Sequence, residues 1–331
     1  MIVIRNCRLV KELTEGFDGA VGDVYIDNNR IAAITAPGSH PTEEKTLIEI
    51  DGDGRTLIPG LCEMHAHLYG FIYNPYELQC ATEGKIVFGA LDFAGEYLKQ
   101  GFTTIRDCGS SYNCAASVRD AIKAGIVKGP RIVSCGLIIT PTETGNDTFS
   151  DLYLEADGPE EMRKACRKEL QKGNDFIKLM VSGAFMNEGA DPGIQGLEPE
   201  EIEAAVSAAA RKGTYVCAHC HGTDSIKAAI TAGVRTVEHG TFIDDEGIEM
   251  LKNNENTFLT PTGAVGLYCL DESNPDVSAE LLELSREAAE IEIANINKAY
   301  HAGLKLGFGS DIDLVALRKH PGYEFIARKE Y

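Results

Sequence analysis

The sequence predicts an α/β chain: a (β/α)8, TIM-like barrel preceded by a small β-sheet module. Three observations lead there. Beyond about residue 57, short apolar runs of strand character alternate with longer helical runs, the order expected of a parallel sheet wrapped by helices. Glycine stands at many of the joints where a helix hands over to the next strand, at Gly101, Gly129, Gly173, Gly213, Gly233 and Gly303, a position that favours a left-handed backbone. Histidines gather at the ends of the strand-like runs. An open doubly wound sheet shares the alternation, but no Gly-rich phosphate fingerprint follows the first strand, which disfavours a dinucleotide-binding sheet.

Residues 1–58 read as the module. Ile2-Val3-Ile4, Val24-Tyr25-Ile26, Ile31-Ala32-Ala33-Ile34 and Thr46 to Ile50 are short β-like runs. Asp27-Asn28-Asn29, Pro37-Gly38 and Asp51-Gly52-Asp53-Gly54 separate them, as turns separate the strands of a small antiparallel sheet. Residues 59–331 read as the barrel. Strand one leads from Leu57 to His65. The following strands centre on Thr103–Arg106, Arg131–Ser134, Asp175–Met180, Tyr215–Ala218, Val234–Glu238, Thr257–Thr260 and Leu304–Gly309. Helices fall between them, at about 86–100, 115–124, from Pro159, from Pro199, 225–232, 245–252 and 278–301. Proline at the two named helix starts fits a first-turn position, where its missing N–H costs nothing.

The chain has 331 residues, 44% of them hydrophobic, enough for one large core. Its formal net charge is −20, which disfavours a nucleic-acid partner. No apolar run is long enough to span a bilayer, so no membrane partner is expected. The start lacks the flank and apolar run of a secretory signal, and a cytoplasmic location is expected. The ten cysteines are spread along apolar runs and read as reduced, buried thiols. The lone Cys-x-x-Cys, Cys217 to Cys220, would send its thiols to opposite faces of a strand.

Of eight histidines, His65 and His67 close strand one, His219 and His221 close strand five and His239 closes strand six; Asp311 closes strand eight. All strands of a barrel open at their C-terminal ends on one face, so these residues converge. Two residues apart on a strand, His65 and His67 share a side, as two imidazoles binding one ion must. Lys178 stands inside the apolar run Phe176-Ile177-Lys178-Leu179-Met180. A buried ammonium is costly unless paired or chemically changed. Lys178 is therefore read either as an edge lysine reaching solvent or as a lysine carboxylated by CO2 that bridges two cations.

These motifs resemble the amidohydrolase superfamily. The resemblance lies in Pro59-Gly60-Leu61-Cys62-Glu63-Met64-His65-Ala66-His67, Phe176 to Gly183, Ala218-His219-Cys220-His221-Gly222, Val237-Glu238-His239-Gly240 and Gly309-Ser310-Asp311. It covers nearly the whole chain and is strongest with the Xaa-Pro dipeptidase and prolidase-like branch, to which imidazolonepropionase is related. It implies two divalent ions, zinc expected. His65 and His67 would bind the more buried ion, carboxylated Lys178 would bridge both, and His219 and His239 would bind the second. Asp311 would ligate the first ion and shuttle the proton, and His221 would contact substrate. It also allows a homo-oligomer. Two departures stand out. The Thr-Gly-Gly-His stretch that members often carry after strand three is replaced by Thr140 to Asn146. Members also continue past strand eight into strands that complete the small sheet, so the module is expected to be incomplete and the C-terminal part truncated.

The expected reaction is hydrolysis of an amide or peptide C–N bond of a small substrate, such as a dipeptide or N-acyl amino acid. A metal-bridged hydroxide would attack the carbonyl and Asp311 would move the proton. The alternatives are a single-metal deaminase of the same superfamily or a non-catalytic barrel. The deaminases carry a glutamate shortly after the strand-five histidine, which Cys220-His221-Gly222-Thr223 lacks. Substrate contacts are expected from Tyr69–Gln79, Thr140–Leu154, Phe185–Gly196 and Thr262–Asp276. In the second of these, Glu143 and Asp147 allow a cationic substrate.

Overall fold

In a computed structural model of the chain, the residues described are 1–39, 48–70, 80–149, 151–187, 189–271, 277 and 279–329. They divide into two compact units, Met1–Gly60 and Leu61–Tyr331. No helix among them is long and apolar enough to cross a membrane.

The first unit holds β1 (Ile2–Leu9), β2 (Val21–Asp27), β3 (Arg30–Thr35), β4 (Ile48–Asp51) and β5 (Thr56–Leu57), in the order β3-β2-β1-β4 with β5 also against β1. The sheet is mixed, which corrects the expected antiparallel arrangement. β1 with β2 and β2 with β3 are antiparallel, while β4 and β5 run parallel to β1. The turn Asn28-Asn29, with both residues at positive φ, forces β2 and β3 into a hairpin. The stretch between residues 35 and 48 is long enough for the crossover that a parallel pair needs. Buried Asp23 ties the module together, accepting from Arg5 Nη1 (3.1 Å), Asn6 N (2.8 Å) and Gly38 N (3.0 Å).

The second unit is α/β with parallel sheets. β6 (Leu61–Ala66), β7 (Phe102–Asp107) and β8 (Arg131–Ser134) form one, in that order. The other has the order β10-β9-β11-β12-β13-β14. It consists of β9 (Ile138–Thr140), β10 (Tyr153–Glu155), β11 (Ile177–Met180), β12 (Val216–Cys220), β13 (Thr236–His239) and β14 (Phe258–Thr260). β9 and β10 were not foreseen; at three residues each they are too short for alternation to register. The eighth strand expected at 304–309 is reduced to one bridge, Leu259 with Leu306. Its backbone still bonds on both sides, Gly307 N to Leu259 O (2.8 Å), Met64 N to Phe308 O (2.7 Å) and Asp311 N to His65 O (2.9 Å). On the other flank, Asp175 N donates to Ser134 O at 2.7 Å, joining the β8 end to the approach of β11.

The helices are α1 (Glu83–Lys99), α2 (Cys114–Lys123), α3 (Gly158–Gln171), α4 (Pro199–Ala210), α5 (Thr223–Ala232), α6 (Asp245–Lys252), α7 (Gly263–Cys269), α8 (Ala279–His301), α9 (Leu314–Lys319) and α10 (Tyr323–Ala327). Local chemistry sets their starts. Glu198 and Glu201 make a reciprocal capping box ahead of Pro199, and Asp244 accepts from Gly247 N at 2.8 Å. Small residues on the inner face of α4 (Ala204, Ala205, Ala208, Ala209) pack with the outward side chains of β11 and β12 (Ile177, Leu179, Val216, Ala218, Cys220). Side chains of the opposite strand faces form a separate cluster of Cys108, Cys135, Phe176 and Cys217. Cys217 and Cys220 thus fall on different faces.

That second cluster supports everything above it. Phe176 is fully buried, stacks on Tyr215 at 5.2 Å and lies under the Arg106 guanidinium at 5.8 Å. Phe176→Ala is expected to destabilise the protein by about 3–5 kcal/mol, read as a lower midpoint in urea unfolding; an unchanged midpoint would mean that the layer carries little of the fold.

Candidate metal centre

Strand alternation delivers most of the site. On β6, Glu63 and His65 point to the same side, and His67 follows just past the strand end; on β11 it is Lys178; on β12, Cys217 and His219; on β13, Thr236 and Glu238. His239 is one residue out of phase with this pattern. Its φ of 67° turns it back toward the others. Asp311 has a φ of 54° for the same end. Left-handed backbone at two non-glycine positions stores strain of order 1–3 kcal/mol each, typical of functional sites.

The six residues expected to bind metal come together, and His221 joins them. Ring centres lie 5.3 Å apart for His65–His67, 4.9 Å for His65–His239, and 4.5 Å for both His219–His221 and His219–His239; His221–His239 is 4.7 Å. Asp311 Oδ1 is 3.4 Å from His67 Nε2 and 3.8 Å from His65 Nε2. Lys178 Nζ is 3.4 Å from His65 Nε2. Among the described residues three sets of side chains are close enough to hold an ion: His65/His67/Asp311 and His219/His221/His239, which face the cavity, and His65/Cys108/Glu238. His221, expected to touch substrate, is placed among the second set.

Each imidazole is aimed by a bond on its other nitrogen. His65 Nδ1 donates to Glu238 Oε2 (2.8 Å), His67 Nδ1 to Gly109 O (2.9 Å) and His219 Nε2 to Gly183 O (3.1 Å). His221 Nδ1 donates to Thr241 Oγ1 (2.9 Å), whose own proton goes to Glu292 Oε2 (3.4 Å). His239 Nδ1 pairs with Thr262 Oγ1 at 2.7 Å. Four rings are therefore fixed with a lone pair on the nitrogen facing the cluster, and the fifth can take that form. Such outer partners are what orients metal-binding histidine.

Burial, reinforced by neighbouring positive charge, holds all five imidazoles neutral. His67 is pushed down to about 4 and His221 to about 3, and His65, His219 and His239 also lie well below the usual range. Burial pushes Asp311 the other way, up to about 7, against the pull of Lys178. Burial opposes the Lys178 ammonium, yet the negative groups around it hold it above its ordinary range. Among the described residues it is the only Lys or Arg lining the cavity. The donor chemistry fits a cation: converging neutral nitrogens with one carboxylate, and a lone ammonium on the same ground.

Beneath the rings lies a network that sequence reading left unassigned. Arg106 Nη2 bonds both Glu238 oxygens (2.8 Å each), Nη1 bonds Thr236 Oγ1 (2.8 Å) and Nε bonds Met64 O (2.5 Å). Thr236 Oγ1 also donates to Glu238, as does Cys217 Sγ at 3.2 Å. Glu63 Oε1 accepts from His65 N and Ser310 N, both at 2.9 Å, locking strand one to the Asp311 segment. A side chain at Gly309 would meet His65 Cβ at 2.8 Å, and one at Gly109 would meet Ile138 at 2.5 Å. Glu238 was visible in the Val237-Glu238-His239 motif; its inward position followed from alternation with Thr236.

The metal-binding candidates floor a cavity of about 240 Å³. Its walls are mostly apolar, with Tyr69, Phe149, Tyr153, Met180, Phe185 and Tyr268 among them. The region after strand three thus contributes two aromatic rings, Phe149 and Tyr153. Neither Glu143 nor Asp147 lines the cavity; the carboxylates that do are Asp311, Asp313 and Glu292, the last on α8. All four expected substrate segments, Tyr69–Gln79, Thr140–Leu154, Phe185–Gly196 and Thr262–Asp276, lie partly outside the described residues.

The profile of the amidohydrolase family matches residues 56–320. The chain belongs to the amidohydrolase family. It is 30% identical over 281 residues to an ochratoxinase from Aspergillus niger, covering 77% of this chain and 58% of that protein. It therefore spans less than two thirds of that relative. Among solved structures, an amidohydrolase superposes with a TM-score of 0.88 at 27% identity, covering 99% of this chain and 82% of the other. A Xaa-Pro dipeptidase with bound methionine gives 0.85 at 27%, covering 99% and 83%. The resemblance to the prolidase branch and to C–N hydrolases holds.

Glu238→Gln removes the charge that orients His65. Metal affinity is expected to fall about 10–100-fold, measured by competition with a chromogenic chelator; affinity equal to the parent protein would show that His65 is aimed without Glu238.

Proposed function

We propose that this chain is a binuclear metal-dependent hydrolase that cleaves the amide or peptide C–N bond of a small substrate such as a dipeptide or N-acyl amino acid. The observation that carries the reading is the pair of adjoining donor sets, His65/His67/Asp311 and His219/His221/His239. Lys178 lies against the first. The match to a Xaa-Pro dipeptidase supports peptide-like substrates. A closed (β/α)8 barrel is part of the proposal. It is supported by the backbone bonds at both seams between the parallel sheets, Asp175 to Ser134 and Gly307/Phe308 to Leu259/Met64.

In this reading His65, His67 and Asp311 would hold one zinc ion, His219 and His239 would hold the other, and Lys178, carboxylated by CO2, would serve as a shared ligand. His221 is near enough to complete the second set, and with its proton given to Thr241 its Nε2 is free for the ion or the substrate. Bound cations supply Lewis acidity for the carbonyl and acidify water at neutral pH. Asp311 does the proton work. It is one of the two ligand candidates facing the opening, with about a fifth of its side chain exposed, as is His67. Burial keeps its carboxyl near neutrality, at about 7. A carboxylate at that place can take a proton from water and return it to the leaving nitrogen. The apolar walls limit bulk water around the reacting carbonyl.

The test is a screen of dipeptides and N-acyl amino acids after loading with zinc and bicarbonate, run beside Asp311→Asn. The parent protein is expected to turn over members of the panel, and the variant to lose about 10²–10⁴ in kcat while keeping its metal. Full turnover by the variant removes Asp311 from the proton path. No turnover of any C–N substrate by fully loaded protein removes the reading itself.

A further inference from the structure

The five rings of the floor differ in what stands behind them. A carbonyl or a carboxylate can only accept. At His65, His67 and His219 the outer partner alone therefore settles which ring nitrogen carries the proton. His221 and His239 face hydroxyls, Thr241 and Thr262, and a hydroxyl can give or take. At His221 the direction is decided one bond further out. The Thr241 hydroxyl stands 3.4 Å from Glu292 Oε2. Burial pushes that carboxyl up to about 7, and above that pH it only accepts. Thr241 then gives its one proton to Glu292 and takes that of His221 Nδ1, which leaves the lone pair on Nε2.

Helix α8 keeps this contact in place. Glu292 and Asn295 lie on the same face of it, and both engage Thr241. Glu292 takes the hydroxyl proton and Asn295 Nδ2 donates to the Thr241 carbonyl at 3.0 Å. Further along the helix, Ile296 and Ala299 are buried in the core. His221 is held from other sides too. Its N–H donates to Ser182 Oγ at 3.0 Å, and Phe185 packs edge-on against its ring at 4.7 Å.

We propose that Glu292 is a positioning residue that, through Thr241, keeps the proton of His221 on Nδ1, so that His221 joins His219 and His239 as a third nitrogen ligand of the second ion and does not donate to substrate. This rests on the two-cation reading of the same floor and deepens it. A cation beside Nε2 favours the same tautomer that Glu292 selects, so the two act in one direction. A carboxylate behind a neutral imidazole also makes the ring a stronger donor to metal.

The test reads the tautomer from the imidazole nitrogen-15 signals of the metal-free protein at about pH 8.5, with His221 assigned by the signal lost in His221→Gln. The parent protein is expected to carry the His221 proton on Nδ1. In Glu292→Leu the carboxylate is gone, the Thr241 hydroxyl turns to His221 Nδ1, and the ring proton is expected on Nε2. Zinc titration against a chromogenic chelator is then expected to show one of the two equivalents bound about 10–100-fold more weakly than in the parent, the other unchanged. Glu292→Gln, whose amide oxygen can still accept, is expected to recover most of that loss. A parent protein with the proton on Nε2 overturns the inference, and this result needs no variant to fold. A proton that stays on Nδ1 in Glu292→Leu overturns the role of Glu292, as do unchanged zinc affinity and an equal loss at both equivalents. The tautomer is read without metal or substrate, so a failure to cleave any C–N bond would count against the hydrolase reading and leave this result standing.

Discussion

Five neutral imidazoles crowded onto the floor of one cavity, four with a lone pair turned inward by a bond on the far side of the ring, are the constraint on which the rest depends. Lone pairs facing one another without a donor are unfavourable in a dry interior. The ammonium of Lys178 reaches one ring, His65, and relieves part of the problem. A cation in each donor set relieves it all. The fold keeps the arrangement through the outer bonds to Glu238, Gly109, Gly183, Thr241 and Thr262, which orient the rings.

The layers below exist to hold that floor. Arg106 neutralises Glu238, so that the carboxylate orienting His65 can be buried without a net charge. Removing one member of such a buried pair is costly because the other is left uncompensated. Glu63 couples the backbone of strand one to the segment carrying Asp311. The left-handed residues His239 and Asp311 are the points where regular structure is given up for ligand placement. Stability elsewhere, in the apolar contacts between strands and helices, carries that strain.

Much of this was legible in the sequence. The strands at 131–134 and the helix at 245–252 fall where the residues indicate, and the convergence of positions from 65 to 311 follows from parallel topology. Lys178 announced itself by charge inside an apolar run. What was not legible had physical reasons. The direction of β4 and β5 depends on a crossover, which local pattern does not encode. The eighth strand is apolar like the others, yet its backbone makes one bridge, Leu259 with Leu306, and otherwise isolated bonds to Met64 and His65. Alternation alone would have pointed His239 away from the site; only its positive φ returns it. Glu292 stands in the helical stretch read at 278–301, more than fifty residues past the strand that carries His239, and nothing local marks it as part of a cavity wall. The cationic substrate that Glu143 and Asp147 allowed rested on residues that do not line the cavity.

Anomalous diffraction at the zinc edge from crystals of the zinc- and bicarbonate-loaded protein addresses the central claim most directly. The account predicts two peaks about 3.5–4 Å apart, one enclosed by His65, His67 and Asp311 and the other by His219 and His239, with density joining Lys178 to both. A single peak, or peaks away from these side chains, would contradict it.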